Sequence, residues 1–189
     1  MKMKKNNLMI SIASMTLSEY RNAGKNLVID YGYYHSPFGE CFIANADSGI
    51  CTLAFSDTKA ESTLIENEFK QLWSEATIKR NDAQIKQLAE IIFSENKNAS
   101  LKLLLRGSAF QLKVWKALLS VPTAHLKSYQ EIAITIQQPT AVRAVASAIA
   151  KNNIAYLVPC HRVIRKNGDI GQYRWHAHRK QALIAWEAS

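Results

Sequence analysis

The sequence predicts an α+β protein in two successive parts, an α/β half with antiparallel strands followed by a helical half. Three observations carry this. Strand-length runs rich in apolar residues lie between turn signals over residues 27–55, and apolar residues recur at helical spacing over residues 82–93. From Ser108 onward, two Ser-x-x-Gln/Glu capping signals and a proline-broken turn mark out a run of short helices. The 189 residues are enough for one large domain or two small ones with a real core.

Residues 1–26 read as a basic tail or linker. Lys2, Lys4 and Lys5 precede a short apolar run, Leu8-Met9-Ile10, which Ser11 and Ser14 interrupt too soon for a secretion signal. Strands follow over Leu27–Tyr34, Glu40–Ala46 and Gly49–Phe55, a meander turning at Ser36-Pro37-Phe38-Gly39 and at Asp47-Ser48-Gly49. Cys41 and Cys51 fall on paired strands with His35 near, which admits either a metal site or two small buried apolar residues. Helices from Lys59 to about Trp73 and from Asp82 to Phe93 come next, the second carrying Ile85, Leu88, Ala89 and Ile92 on one face. Leu101, Leu103 and Leu105 then form a strand that completes the sheet, and Arg106-Gly107 ends it. One domain is expected over 27–105 and a second over 106–189.

In the second half, Ser108 with Gln111 opens a helix through Leu119, and Ser128 with Glu131 opens another from Tyr129 to Ile136. Gln137-Gln138-Pro139 breaks that helix, and Thr140 is placed to cap the next, Ala141 to Ala150. Helix, short turn, helix is a DNA-binding arrangement. The second of these helices is built from Ala141, Ala144, Ala146, Ser147, Ala148 and Ala150 around one long cation, Arg143. Such a helix either approaches a partner backbone closely or lies buried on all sides. A last helix is expected from roughly Ala177 to Ala188.

Formal net charge is +9, so the surface attracts polyanions. No apolar run approaches the ~20 residues that span a bilayer, which turns the expectation from membrane to nucleic acid and to a cytoplasmic protein. Three cysteines, Cys41, Cys51 and Cys160, form no C-x-x-C pair and have an odd count, against both a disulfide framework and a thiolate zinc site.

The chemistry concentrates in Leu157-Val158-Pro159-Cys160-His161-Arg162-Val163-Ile164, where a thiol, an imidazole and a guanidinium stand side by side between apolar runs. Neighbouring cations stabilise a thiolate, the nucleophilic form. Pro159 pushes Val158 toward an extended conformation, so Leu157 and Val158 read as a buried strand with Cys160 at its exit. A plain core cysteine beside a histidine is the alternative.

Pro159-Cys160-His161-Arg162-Val163 resembles the active-site signature of the O6-alkylguanine-DNA alkyltransferases. The match runs from about Arg106 to Glu187, through Arg106-Gly107-Ser108-Ala109-Phe110, Ser128-Tyr129, Pro139, Ala141-Val142-Arg143-Ala144-Val145-Ala146, Asn152 and Gly171-Gln172-Tyr173-Arg174-Trp175. The turns at Ser36-Pro37-Phe38-Gly39 and Ser48-Gly49-Ile50 extend it to the N-terminal domain of Ada-type members. Ser14 to Gly24 resembles the tail leading from an AraC-type DNA-binding domain into the Ada repair half.

The resemblance implies a ribonuclease-H-like N-terminal domain and a winged-helix-like alkyltransferase domain. It implies irreversible, single-turnover transfer of an alkyl group from O6-alkylguanine, and from O4-alkylthymine, to Cys160. The partner would be double-stranded DNA bound by a monomer through the minor groove, with no cofactor and no metal. His161 would draw the thiol proton through a water, with Glu187 holding the imidazole and Asn152 bracing the turn. Tyr129 would rotate the nucleotide and donate to the ring. Arg143 would fill the gap left by the extruded base, and Tyr129, Ser128, Ala141, Ala144 and Ser147 would also meet the DNA. Val158, Pro159, Tyr173, Arg174 and Trp175 would line the pocket. The chain departs from the family at Gln137-Gln138-Pro139, where a glycine and then a basic or amide residue usually precede proline. A lesion sensor without transfer, a helix-turn-helix regulator and a cysteine hydrolase are the rival readings. Cys160 opposes the first, the Cys160, His161 and Glu187 set the second, and the lack of any oxyanion-donor signal the third.

Overall fold

The computed structural model describes residues 9–15, 22–94 and 99–189. Its first strand, β1 (Met9–Ser14), lies within the expected tail and corrects that expectation in part. β1 runs parallel to a strand near the end of the same half, Met9 opposite Ser100 and Ser14 opposite Leu105. Its serines suggested a solvated tail, yet an edge strand needs only part of its surface covered, and Ile10 and Ala13 supply that part. The stretch resembling an AraC-type tail lies largely outside the described residues.

The strand-length runs form β2 (Val28–Ser36), β3 (Gly39–Ala46) and β4 (Gly49–Ser56), antiparallel neighbours in the expected order. Helix α1 (Lys59–Leu72) is capped by Thr58, whose hydroxyl accepts from Glu61 N. A short strand not foreseen, β5 (Thr77–Arg80), pairs parallel to β2. Helix α2 (Asp82–Phe93) and β6 (Ser100–Leu105) follow. The six-stranded sheet has the order β1-β6-β4-β3-β2-β5, with parallel pairs at both ends of an antiparallel centre.

Successive residues of β2 turn to opposite faces, and each face takes a helix. Tyr31 packs with Phe42, Phe69 and Trp73 on the α1 side. Gly32 faces α2 so closely that an added Cβ would stand 2.7 Å from the Asp82 carboxylate and 3.2 Å from the Ile85 Cβ. Cys41 and Cys51 are both buried while His35 is exposed. The Cys51 thiol donates to Ala44 O at 3.5 Å, and burial pushes its pKa up to about 12, so it behaves as a small core residue.

The chain divides into two units between Gly107 and Ser108. In the second unit α3 (Ala109–Leu119) starts with the Ser108–Gln111 capping box. After β7 (Lys127–Ser128), α4 (Tyr129–Thr135) starts with the Ser128–Glu131 box. Helix α5 (Val142–Ala150) begins one residue later than expected and has no side-chain cap. Thr140 fails as a cap because it lies in the preceding turn, where Ala141 N donates to Gln138 O at 2.9 Å. A single 3-10 turn (Cys160–Arg162), β8 (Val163–Ile164) paired with β7, and α6 (Ala177–Ala188) complete the unit. Its core joins Val114, Trp115, Leu118, Ile132, Val145, Ile149 and Leu183, and Trp115 Nε1 donates to Ala148 O at 2.9 Å, pinning α3 to α5.

Candidate active site and nucleic-acid face

Residues 155–159 are turns rather than the expected strand. Pro159 offers no ladder donor, and the neighbouring amides bond locally, Leu157 N to Ala155 O at 2.6 Å and Cys160 N to Val158 O at 2.7 Å, with Tyr156 at φ +63°. Cys160 therefore opens the 3-10 turn. With about three residues per turn, Cys160, His161 and Arg162 point in three directions.

Cys160 is 4% exposed. The Asn152 side-chain amide donates to its Sγ at 3.2 Å and also to Val158 O and Ile154 O, while Asn152 Oδ1 accepts from Ile154 N at 2.9 Å. Burial pushes the Cys160 thiol up, against smaller opposing effects from Asn152, Tyr173 and the Lys180 ammonium. The environment therefore favours the thiol over the thiolate.

His161 is fully buried, and its Nε2 lies 2.9 Å from Glu187 Oε1. Burial raises the Glu187 carboxyl, but bonds from His161 and Arg162 outweigh it and hold the pKa at about 2. Glu187 is therefore an acceptor, so Nε2 carries the hydrogen and Nδ1 the lone pair. Burial lowers the pKa of His161 despite Glu187, keeping the ring neutral. Its Nδ1 is buried with no partner. Arg162 does not serve the thiol directly. It grips Glu187 through Nε at 2.9 Å and Nη2 at 2.7 Å, and reaches Val121 O and Thr123 Oγ1.

Sequence reasoning missed Lys180. Its side chain is 1% exposed and its Nζ donates to Val163 O and Ile170 O, each at 2.6 Å. Burial lowers its pKa to about 8. The signal was present: Lys180, Leu183 and Glu187 recur at i, i+3 and i+7, one face of α6.

Tyr129 is half-buried at the start of α4, and burial with the charge of a Cys160 thiolate raises its pKa, keeping the phenol a donor. The Tyr173 hydroxyl is buried and makes no hydrogen bond by geometry, yet lies near enough to Cys160 for each to shift the other. Val158 and Pro159, which precede Cys160 in the chain, are buried, Val158 lending its carbonyl to Asn152. Trp175 is buried, and Arg174 is exposed.

On α5, Val145, Ala148 and Ile149 are buried, whereas Arg143, Ala144 and Ser147 are exposed and Ala141 half-buried. The helix is therefore not enclosed on all sides. Arg143 makes no ion pair or hydrogen bond among the described residues. Ser128 is spent on its cap, accepting from Glu131 N and donating to Glu131 Oε2.

Residues 109–189 match the model of the 6-O-methylguanine DNA methyltransferase DNA-binding domain, and residues 29–96 that of its ribonuclease-like domain. The methylated-DNA--protein-cysteine methyltransferase of Mycolicibacterium paratuberculosis is 36% identical over 160 residues, covering 85% of this chain and 93% of that protein. The chain belongs to the 6-O-methylguanine DNA methyltransferase family. It is also 40% identical over 178 residues to the bifunctional transcriptional activator/DNA repair enzyme Ada of Escherichia coli, 92% of this chain but 49% of Ada. The chain thus spans about half the length of the Ada proteins it matches. Among solved family structures, the Mycobacterium tuberculosis O6-methylguanine methyltransferase gives a TM-score of 0.64 at 34% identity, covering 84% of this chain and 92% of that one. The structure of the M. tuberculosis OGT in complex with DNA gives 0.65 at 32%, covering 85% and 92%. Mixed α+β architecture, with a sheet in the first unit and helices in the second, is common to them.

Proposed function

We propose that this chain repairs DNA by moving the alkyl group of O6-alkylguanine onto Cys160, once per molecule. The observation that carries the reading is the buried set Cys160, His161 and Glu187, gripped by the partly buried Arg162, with one imidazole nitrogen hydrogen-bonded to the carboxylate and the other without a partner. Glu187 holds the Nε2 hydrogen, so Nδ1 takes the thiol proton, through a water in the family manner. The thiolate attacks the alkyl carbon, an S–C bond forms as the O6–C bond breaks, and guanine departs with a proton from the Tyr129 phenol. A thioether has no easy route back, so each molecule reacts once. The alkyl donor is DNA and the acceptor is protein, so the balance calls for no cofactor. The same chemistry extends to O4-alkylthymine.

A nucleophile this enclosed cannot meet a stacked base, so the nucleotide has to turn out of the duplex. Small exposed residues on α5 suit a minor groove about 6 Å wide, and Arg143 is free to occupy the gap. The protein would act as a monomer on duplex DNA.

Intact-protein mass spectrometry after incubation with a duplex carrying one O6-methylguanine tests this. A stoichiometric gain of one methyl group on Cys160, absent in Cys160→Ala, is expected. Unchanged mass with retained binding of the lesion duplex would replace transfer with lesion sensing.

A further inference from the structure

Arg174 stands outside the proton relay yet is tied to it at both ends. Its Nη1 donates to Asn153 Oδ1 at 2.9 Å and to the Asn152 carbonyl at 3.3 Å. Its guanidinium lies 5.7 Å from the centre of the Trp175 ring. Trp175 meets Tyr173 edge-on at 5.3 Å, and its carbonyl accepts from the buried Arg179 at 2.8 Å. At the other end, the same Asn152 positions the Cys160 sulfur.

From these contacts we propose that Arg174 is a specificity-determining positioning residue, latching the segment that carries Tyr173 to the turn that carries Asn152 and so setting the space left for the alkyl group beside Cys160. The inference rests on the alkyl-transfer reading above. Residues 171–173 have no regular secondary structure, and the Tyr173 hydroxyl has no hydrogen bond of its own to hold it. The ring is placed by its neighbours in the chain. Trp175 is anchored by burial and by Arg179, but neither contact refers the segment to the nucleophile. Arg174 supplies that reference, because its acceptors belong to the turn that fixes the sulfur. A planar guanidinium can stack on an indole and donate sideways at once, which a lysine ammonium cannot do in the same way.

A methyl group needs little room, whereas a benzyl group needs the wall to yield. Cutting the latch should therefore speed transfer of the large group relative to the small one. The test compares single-turnover rates, with protein in excess, on one duplex sequence carrying either O6-methylguanine or O6-benzylguanine. Losing a charge-assisted bond of this kind should let Arg174→Ala raise the benzyl-to-methyl rate ratio about fivefold, and it is the ratio, not either rate alone, that the test reads. Arg174→Lys and Asn153→Ala should shift the ratio the same way by less, and they carry the test if Arg174→Ala does not fold. An unchanged ratio, or both rates falling together, would overturn the latch. Failure of the wild type to take up methyl at all would instead overturn the alkyl-transfer reading, a separate result.

Discussion

At His161 the position of one hydrogen decides which nitrogen keeps its lone pair, the nitrogen that the proposed function uses as base. Glu187 fixes it, and Arg162 keeps Glu187 ionised. In Glu187→Gln the amide can face the ring either way and the Arg162 charge loses its partner. The methyl-transfer rate, followed in single turnover, should fall roughly a hundredfold, the scale of a general-base contribution. Stability should report the same carboxylate. Its folded pKa of about 2 lies below the unfolded value near 4.3, so its stabilisation is complete above that value and is lost as pH falls toward 2. His161, held neutral by burial, works in the same direction, since the unfolded ring binds a proton more readily as pH drops through about 6.5. Thermal unfolding between pH 7 and 3 should show a falling melting temperature, with the portion below about pH 4.5 smaller in Glu187→Gln, where Glu66 and Glu131, also held at about 2, still contribute. The juxtaposition of Cys160 and His161 was legible because the two stand together in the chain. The grip of Arg162 on Glu187 and the burial of Lys180 were not, since both depend on where the loops at 121–123 and 163–170 travel.

Among the elements, the end of α4 shows what the missing glycine entails. Gln138 N donates to Ala133 O and Gln137 N to Ile134 O, a Schellman ending in which Gln137 takes φ +59°. A left-handed residue with a Cβ carries a penalty of about 1 kcal/mol that glycine escapes. Gln137→Gly should therefore stabilise the protein by about that amount, and Gln137→Val should destabilise it, both read from denaturant midpoints at unchanged slope. Ser128→Ala, which removes a capping box, should cost about 1 kcal/mol in the same assay. Both capping boxes were readable because they are local, four residues each. Thr140 misled because a residue type suited to capping was read without the turn that had already claimed its position. β5 escaped notice because Thr77-Ile78-Lys79-Arg80 is short and mostly exposed, so no alternation marks it.

For the molecule as a whole, a net charge of +9 means that the DNA binding proposed above should depend on salt. Binding of duplex DNA should weaken steeply between 50 and 200 mM salt, on the order of a hundredfold if about four phosphates are neutralised. Arg143→Ala should weaken binding of lesion duplex more than of undamaged duplex, because a side chain filling a vacated stack is needed only where a base has left. Competition titrations at fixed salt would show equal losses if Arg143 merely contacted phosphate. The antiparallel centre of the sheet was legible, since its three strands follow one another through tight turns. Its parallel borders were not, because each pairs segments distant in sequence and no local pattern names the partner.

That long-range pairing has a consequence during synthesis. β1 is made early, but its partner β6, with Ser100 opposite Met9, emerges only after some ninety further residues, roughly 5–20 s at typical elongation rates. Throughout that interval Met9, Ile10 and Ile12 form a short apolar ribbon with a bare hydrogen-bonding edge. On the ribosome this border of the sheet stays without its native partner until residue 105 has arrived.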